Sequence, residues 1–278
     1  MSSQLDKILA ITRSKVEERK AQSSRASLER AARAHQPRGF ARALRQKAAR
    51  GAAVIAELKR ASPSRGVIRE TFDAEALAAG LANAGAAALS ILTEEHFFQG
   101  SLRNLELASQ VSGLPCLRKD FLVDEFQILE ARAHRADAVL LIAAALTDVE
   151  LRELAAKAHA FELDLLCEIH TGEELDRVLS LGLDCEAIGV NNRNLKSFQV
   201  RLEVSLELAE RLPAGAVHVA ESGIDTAEDL NRLRNAGFHA FLIGEALMRR
   251  TDPGHALEGL LAAASQEQVA GAAVASQK

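Results

Sequence analysis

From about residue 52 onward the chain alternates short, nearly unbroken apolar runs with longer runs whose apolar positions recur at helical spacing. The apolar runs are AAVIAEL, AALSILT, PCLRKDF, AVLLIAA, LDLLCEI, AIGVNN, VHVAES and AFLIGE, eight in all. Continuous apolar stretches of this length suit strands that are covered on both faces. Between them, FDAEALAAGLANAG, DEFQILEARAHRA, TDVELRELAAKAHAF, TGEELDRVLSLG and TAEDLNRLRNAG have helical period, and several open on Thr or Asp and close near Gly. Those residues are start and stop signals: a Thr or Asp side chain accepts an orphan N–H of the first turn, and Gly ends the last.

Eight βα repeats with short connections predict an α/β fold of the (β/α)8 TIM-barrel type over residues 50–264. A doubly wound sheet would more often show fewer strands and a GxGxxG turn after the first, and no such turn is present here. Before the barrel, LDKILAITRSKVEERKA, SLERAARA and GFARALRQKAA read as helices, so residues 1–49 form an N-terminal helical extension. Such an extension either covers one mouth of the barrel and helps bind a ligand or simply packs against its side. After residue 264 the amphipathic pattern ends, and 265–278 read as a flexible, frayed tail with no room for a second barrel.

Charge changes the picture only by exclusion. A formal net charge of -4 offers no global basic field for nucleic acid or anionic membranes, so an anion must be bound locally. The N-terminus carries charges where a signal peptide would be apolar, and no segment reaches the roughly 20 apolar residues of a membrane span. The three cysteines, Cys116, Cys167 and Cys185, fit no metal-ligand spacing and read as reduced core thiols. Together these point to a cytoplasmic protein, and the lack of a long apolar stripe on the helices points to a monomer. His96, His134, His170, His218 and His239 also lack ligand spacing and read as surface or supporting residues, so no metal is expected.

Active sites of barrels lie at the C-terminal ends of the strands. Glu57 and Lys59 lie at the end of the first strand, Lys119 and Asp120 at the third, Glu168 at the fifth, Asn191 at the sixth, and Glu221 with Ser222 at the seventh. Alternation along a strand aims Glu57 and Lys59 together into the barrel mouth. Charges buried there need partners, and a lysine in an apolar site has a lowered pKa that suits acid and base work. The alternative is a set of structural ion pairs that seals the barrel. Gly223 after the seventh strand and Gly244 after the eighth let backbone N–H groups approach an anion, with Ser222 adding a hydroxyl, which predicts a phosphorylated small molecule. Ser62, in the ASPSRGVI loop after the first strand, is a further candidate phosphate contact.

IAELKRASPSRGVI, ILTEEHFFQGS, LRKDF, CEIH, IGVNNRNL, AESGI and FLIGEALMR, in this order over about residues 5–263, resemble the indole-3-glycerol-phosphate synthase family. The resemblance implies a carboxy-lyase of tryptophan biosynthesis that needs no cofactor. Its substrate would be 1-(o-carboxyphenylamino)-1-deoxyribulose 5-phosphate, cyclised with loss of carbon dioxide and water. By the same resemblance Lys119 is the general acid at the ribulose C2 carbonyl, and Lys59 pairs with the substrate carboxylate. Glu57 and Glu168 are acid/base and cation-stabilising groups, and Asn191 and Ser222 position the substrate. Ser62, Gly223 and Gly244 match phosphate contacts, Phe98 and Phe121 contacts to the anthranilate ring, and Glu221 a carboxylate that holds the lysines. Arg193 and Ile243 fall within matching motifs and join the substrate-binding set, while either Lys59 or Lys119 supplies the proton for dehydration. Departures are Arg60 where Lys is frequent, Asn194 where Asp is frequent, and the HTG after Ile169. The competing expectations are another phosphate-binding barrel, such as phosphoribosylanthranilate isomerase, or a non-catalytic barrel scaffold. The isomerase would need a Cys and Asp pair in place of Lys and Glu.

Overall fold

A computed structural model describes the backbone of residues 3–275 and side chains to residue 267. All eight apolar runs form strands: β1 (Ala53–Leu58), β2 (Ala88–Leu92), β3 (Cys116–Lys119), β4 (Ala138–Ile142), β5 (Asp164–Ile169), β6 (Ala187–Asn191), β7 (Val217–Glu221) and β8 (Ala240–Ile243). Each pairs in parallel with its neighbours in sequence, and β1 also pairs with β8, so the sheet closes into a barrel.

The alternation of side chains divides the core into two layers. Ala53, Ile55, Leu117, Leu140, Leu166, Val217, Val219 and Leu242 fill the barrel. Val54, Ala56, Ile91, Cys116, Leu141, Cys167, Val190 and Phe241 face outward under the helices. Cys116, Cys167 and Cys185 are buried and unbridged.

The connecting helices start where the caps were expected. Thr147 and Thr226 each open a capping box, exchanging hydrogen bonds with Glu150 and Asp229, and Asp73, Asp124 and Thr171 accept first-turn N–H groups. The last helix spans Pro253–Ala275, which carries helical backbone into the stretch read above as a tail; residues 276–278 of that stretch lie outside the described residues.

The N-terminal extension does two separate jobs. Helix α1 (Gln4–Gln22) runs along the side of the barrel and reaches its C-terminal mouth, while α2 (Arg25–Ala34) leads back to α3 (Phe40–Ala48) at the opposite end. Phe40, Ala41 and Leu44 of α3 are buried in the same inner cluster as Ala53 and Val217, so they plug the N-terminal mouth. Asp137, fully buried, anchors the approach to α3 by accepting from the Arg38 guanidinium at 2.5 Å and the Arg38 N–H at 2.7 Å. None of the helices among the described residues is long and apolar enough to cross a membrane.

Candidate functional site

A cavity of about 600 Å³ opens at the C-terminal ends of the strands. Its size falls in the range that holds small-molecule ligands. Glu57, Lys59, Ser62, Phe98, Lys119, Phe121, Glu168, Asn191, Arg193, Glu221, Ser222, Gly223, Ile243 and Gly244 all border it. Ile243 does so from the outward-facing set, its side chain packed in the layer beneath the helices.

The charged floor follows from strand register. On four strands the inward apolar series ends in a charged residue: Ile55 is followed two positions on by Glu57, Leu117 by Lys119, Leu166 by Glu168 and Val219 by Glu221. Lys119 Nζ donates to Glu168 Oε2 at 2.5 Å and to Glu221 Oε2 at 2.9 Å. Beside this trio, Lys59 Nζ donates to Glu57 Oε1 at 2.5 Å. Glycines make room for the carboxylates: a Cβ on Gly189 would collide with Glu221, and one on Gly244 with Glu57.

Lys119 is held rigidly by the residues on either side of it. Arg118 points outward, fully buried, and donates to Asp120 at 3.0 Å and to the Gln127 carbonyl at 2.6 Å. Asp120 also accepts from the Thr93 hydroxyl at 2.5 Å and the Phe121 N–H at 2.8 Å. The backbone flanking Lys119 is therefore pinned from both sides.

Electrostatics correct one expectation. Burial pushes the Lys119 pKa down, but Glu168, Glu221 and Glu57 outweigh it and raise the ammonium above its ordinary value, so Lys119 stays charged. Two carboxylates sharing one cation cannot both ionise freely. Burial favours the neutral acid at Glu168, but Lys119 and His170 override it and hold the pKa to about 2. At Glu221 burial and repulsion from Glu168 prevail over Lys119 and push the pKa up to about 8. Within the trio the Lys119 ammonium thus meets one carboxyl that favours ionisation, Glu168, and one that favours its proton, Glu221.

The upper wall is formed by the turn after β7, the Ser62 loop and two phenylalanines. Ser222 and Gly223 adopt consecutive left-handed conformations, with φ of 66° and 78°, turning the backbone sharply at the end of β7. A serine is costly there, and Asn192 holds the turn: its amide donates to the carbonyls of Glu221 and Ser222, both at 3.1 Å. The Ser62 hydroxyl oxygen is buried with no hydrogen-bond partner among the described residues. Phe98 and Phe121 form an apolar wall with ring centroids 6.2 Å apart. Glu94 organises the Phe98 loop by accepting from the N–H groups of His96, Phe97 and Phe98. Asn194 accepts from the N–H groups of Lys196 and Ser197, the turn-capping work an Asp would do.

Several bordering residues were not singled out from the sequence. Leu5 and Ile8 of α1 close one side of the cavity. Glu245 gathers Arg249 at the end of its own short helix at 2.6 Å, Arg65 from the loop after β1 at 3.2 Å and Arg193, already in the substrate-binding set, at 3.7 Å. Arg65 lies in the loop after β1 and Glu245 just past the end of β8, but their convergence is purely spatial. His170, read as a supporting residue, packs against Glu168.

The model of the family "Indole-3-glycerol phosphate synthase" matches residues 5–260. The chain belongs to the indole-3-glycerol phosphate synthase family. A member from Koribacter versatilis is 55% identical over 261 residues, covering 94% of this chain and 100% of its own. One from Bordetella pertussis is 47% identical over 264 residues, with 94% and 100% coverage. Among solved structures, 3-hexulose-6-phosphate synthase from Salmonella typhimurium aligns with a TM-score of 0.62 at 10% identity, covering 77% of this chain and 99% of its own. KGPDC from Streptococcus mutans aligns with a TM-score of 0.60 at 11% identity, covering 77% and 98%. At such identities these two report only that the barrel fold is shared. The indole-3-glycerol phosphate synthase family thus accounts for nearly the whole chain, N-terminal helices included.

Proposed function

We propose that this protein closes the indole ring in tryptophan biosynthesis. It converts 1-(o-carboxyphenylamino)-1-deoxyribulose 5-phosphate to indole-3-glycerol phosphate, carbon dioxide and water. The observation that carries this proposal beyond family membership is Lys119, charged and clasped by Glu168 and Glu221, with the Lys59–Glu57 pair beside it in one cavity.

The aromatic carbon that bears the carboxylate attacks C2 of the ribulose chain. As the C–C bond forms, the carbonyl electron pair moves to oxygen, where the Lys119 ammonium donates a proton. An ammonium with a raised pKa can still do this, because an alkoxide is a far stronger base than an amine. Ring attack leaves positive charge on the ring and its nitrogen, and the ionised Glu168 stabilises it. Lys59 pairs with the substrate carboxylate until carbon dioxide leaves and its bonding electrons restore the aromatic ring. In the dehydration the hydroxyl on the former C2 leaves as water with a proton from Lys59 or Lys119. A carboxylate, Glu57 or Glu168, takes the proton from C1, which completes the double bond.

The remaining groups hold the substrate. The backbone N–H groups around Gly223 and Gly244, with the unpartnered Ser62 hydroxyl, suit a phosphate. Phe98 and Phe121 offer the anthranilate ring an apolar wall, and Asn191, Ser222 and Arg193 orient the rest of the substrate. Cytoplasmic location and a monomeric state belong to the same proposal. The exposed large apolar residues among those described, Val67, Val111, Val149, Leu179 and Val200, sit on separate elements rather than in a docking patch.

The test is indole fluorescence after the purified protein is mixed with the substrate, with no cofactor added. The chain contains no Trp and no Tyr, so background emission is low. Growing indole emission is the expected result. A well-folded protein that binds the compound without producing emission would instead be a scaffold.

A further inference from the structure

His170 follows directly on β5, two residues after Glu168, and its ring is almost fully enclosed. Nδ1 lies 3.2 Å from Glu174 Oε2, the same oxygen that accepts the His170 backbone N–H at 2.7 Å. Nε2 lies 3.4 Å from Glu168 Oε1, the oxygen that Lys119 leaves free. This Nε2 is buried and makes no hydrogen bond of good geometry, which in a native site calls for an explanation. The charged groups acting on the ring are Glu168 from β5, Glu174 from the helix Gly172–Ser180 and Glu221 from β7, with Lys119 of β3 reached through Glu168.

Both ring nitrogens therefore face carboxylate oxygens. An ionised carboxylate only accepts, and neutral imidazole carries one N–H, so either neutral tautomer would set a bare nitrogen lone pair against a carboxylate. Only the doubly protonated ring avoids that repulsion, bonding Glu174 through Nδ1 and facing Glu168 as an ion pair at Nε2.

We propose that His170, as an imidazolium pinned by Glu174, is a positioning residue that keeps Glu168 aimed and ionised while Lys119 gives up its proton. This rests on the reaction proposed above. When the Lys119 proton moves to the substrate oxygen, the buried Glu168 carboxylate loses its cation, and an unpaired buried charge is costly. His170 Nε2, 3.4 Å from the other carboxylate oxygen, Glu168 Oε1, leaves a positive charge beside the group. No atom of His170 borders the cavity, so it acts through Glu168.

The test compares steady-state kinetics of wild type, His170→Gln and Glu174→Gln across neutral and alkaline pH. His170→Gln removes the cation and is expected to lower kcat by about tenfold or more while KM stays within about threefold. Glu174→Gln leaves the ring in place but removes an anion that favours its protonation. The fall of kcat on the alkaline side should therefore move toward acid by about half a pH unit or more. A role in packing alone would lower stability without moving that limb. If His170→Gln does not fold, the Glu174→Gln limb still decides. The proposal is overturned if wild type turns over but Glu174→Gln keeps its limb in place, or if folded His170→Gln keeps kcat within twofold of wild type. No turnover by wild type would instead sink the reaction on which it rests.

Discussion

Glu168 and Glu221 are the same residue type, both buried, both bonded to the same ammonium, yet their pKa values are displaced in opposite directions. The difference lies in their other neighbours. Glu168 has His170 beside it, whereas the second oxygen of Glu221 is buried without a partner. An amide is a close stand-in for a neutral carboxylic acid and a poor one for a carboxylate. Glu168→Gln is therefore expected to lower kcat by about 10²–10³-fold, and Glu221→Gln by no more than about tenfold at neutral pH. Equal losses in steady-state assays would contradict this division. Stability follows the same logic with opposite signs. Glu221 ionises at about 8 folded, above its ordinary 4.5, so its contribution to stability falls as pH rises through that window. Glu168, held to about 2, contributes stability above 4.5 that is lost as pH falls toward 2. The charged residues at strand ends were legible in the sequence because alternation alone aims them inward. Their protonation was not, because it depends on three strands meeting at one ammonium. For that reason a lowered lysine pKa was expected and a raised one is found.

Among the elements, the strands read clearly because each is an unbroken apolar run between capped helices. The N-terminal helices read as helices, but their destinations did not. Helix α1 buries Ile8 and Val16 and adds ion pairs to the barrel, Arg13 to Glu150 at 2.7 Å and Arg19 to Glu130 at 2.8 Å, and partners more than a hundred residues away leave no local pattern. Helix α3 turns its Phe40 and Leu44 into the barrel, and apolar spacing says only that such a face is buried, not against what. The plug lies at the opposite end from the reaction cavity. Leu44→Ala should therefore cost about 2–5 kcal/mol of stability in urea unfolding while leaving kcat within about twofold. A large loss of kcat at unchanged stability would place α3 in the catalytic machinery instead.

Across the whole molecule the barrel separates its tasks by end and by layer. The apolar interior and the α3 plug supply a rigid base, the outer layer seats the helices, and charge is concentrated at one mouth around a single cavity. A net charge of only -4 is compatible with this concentration, because each cation at the mouth stands beside a carboxylate: Lys119, Lys59 and the arginines around Glu245. Preorganised charge of this kind acts at full strength only where water is excluded, and the cavity is closed in by the barrel, its loops and α1. The central claim is that ring closure is driven by the Lys119 ammonium. Its most direct test is the rate of indole emission from Lys119→Ala, with circular dichroism and substrate binding measured on the same preparation. The account predicts a fall in kcat of at least about 10³-fold with fold and binding retained. Unchanged turnover in a folded variant would contradict it and move the reaction centre to Lys59.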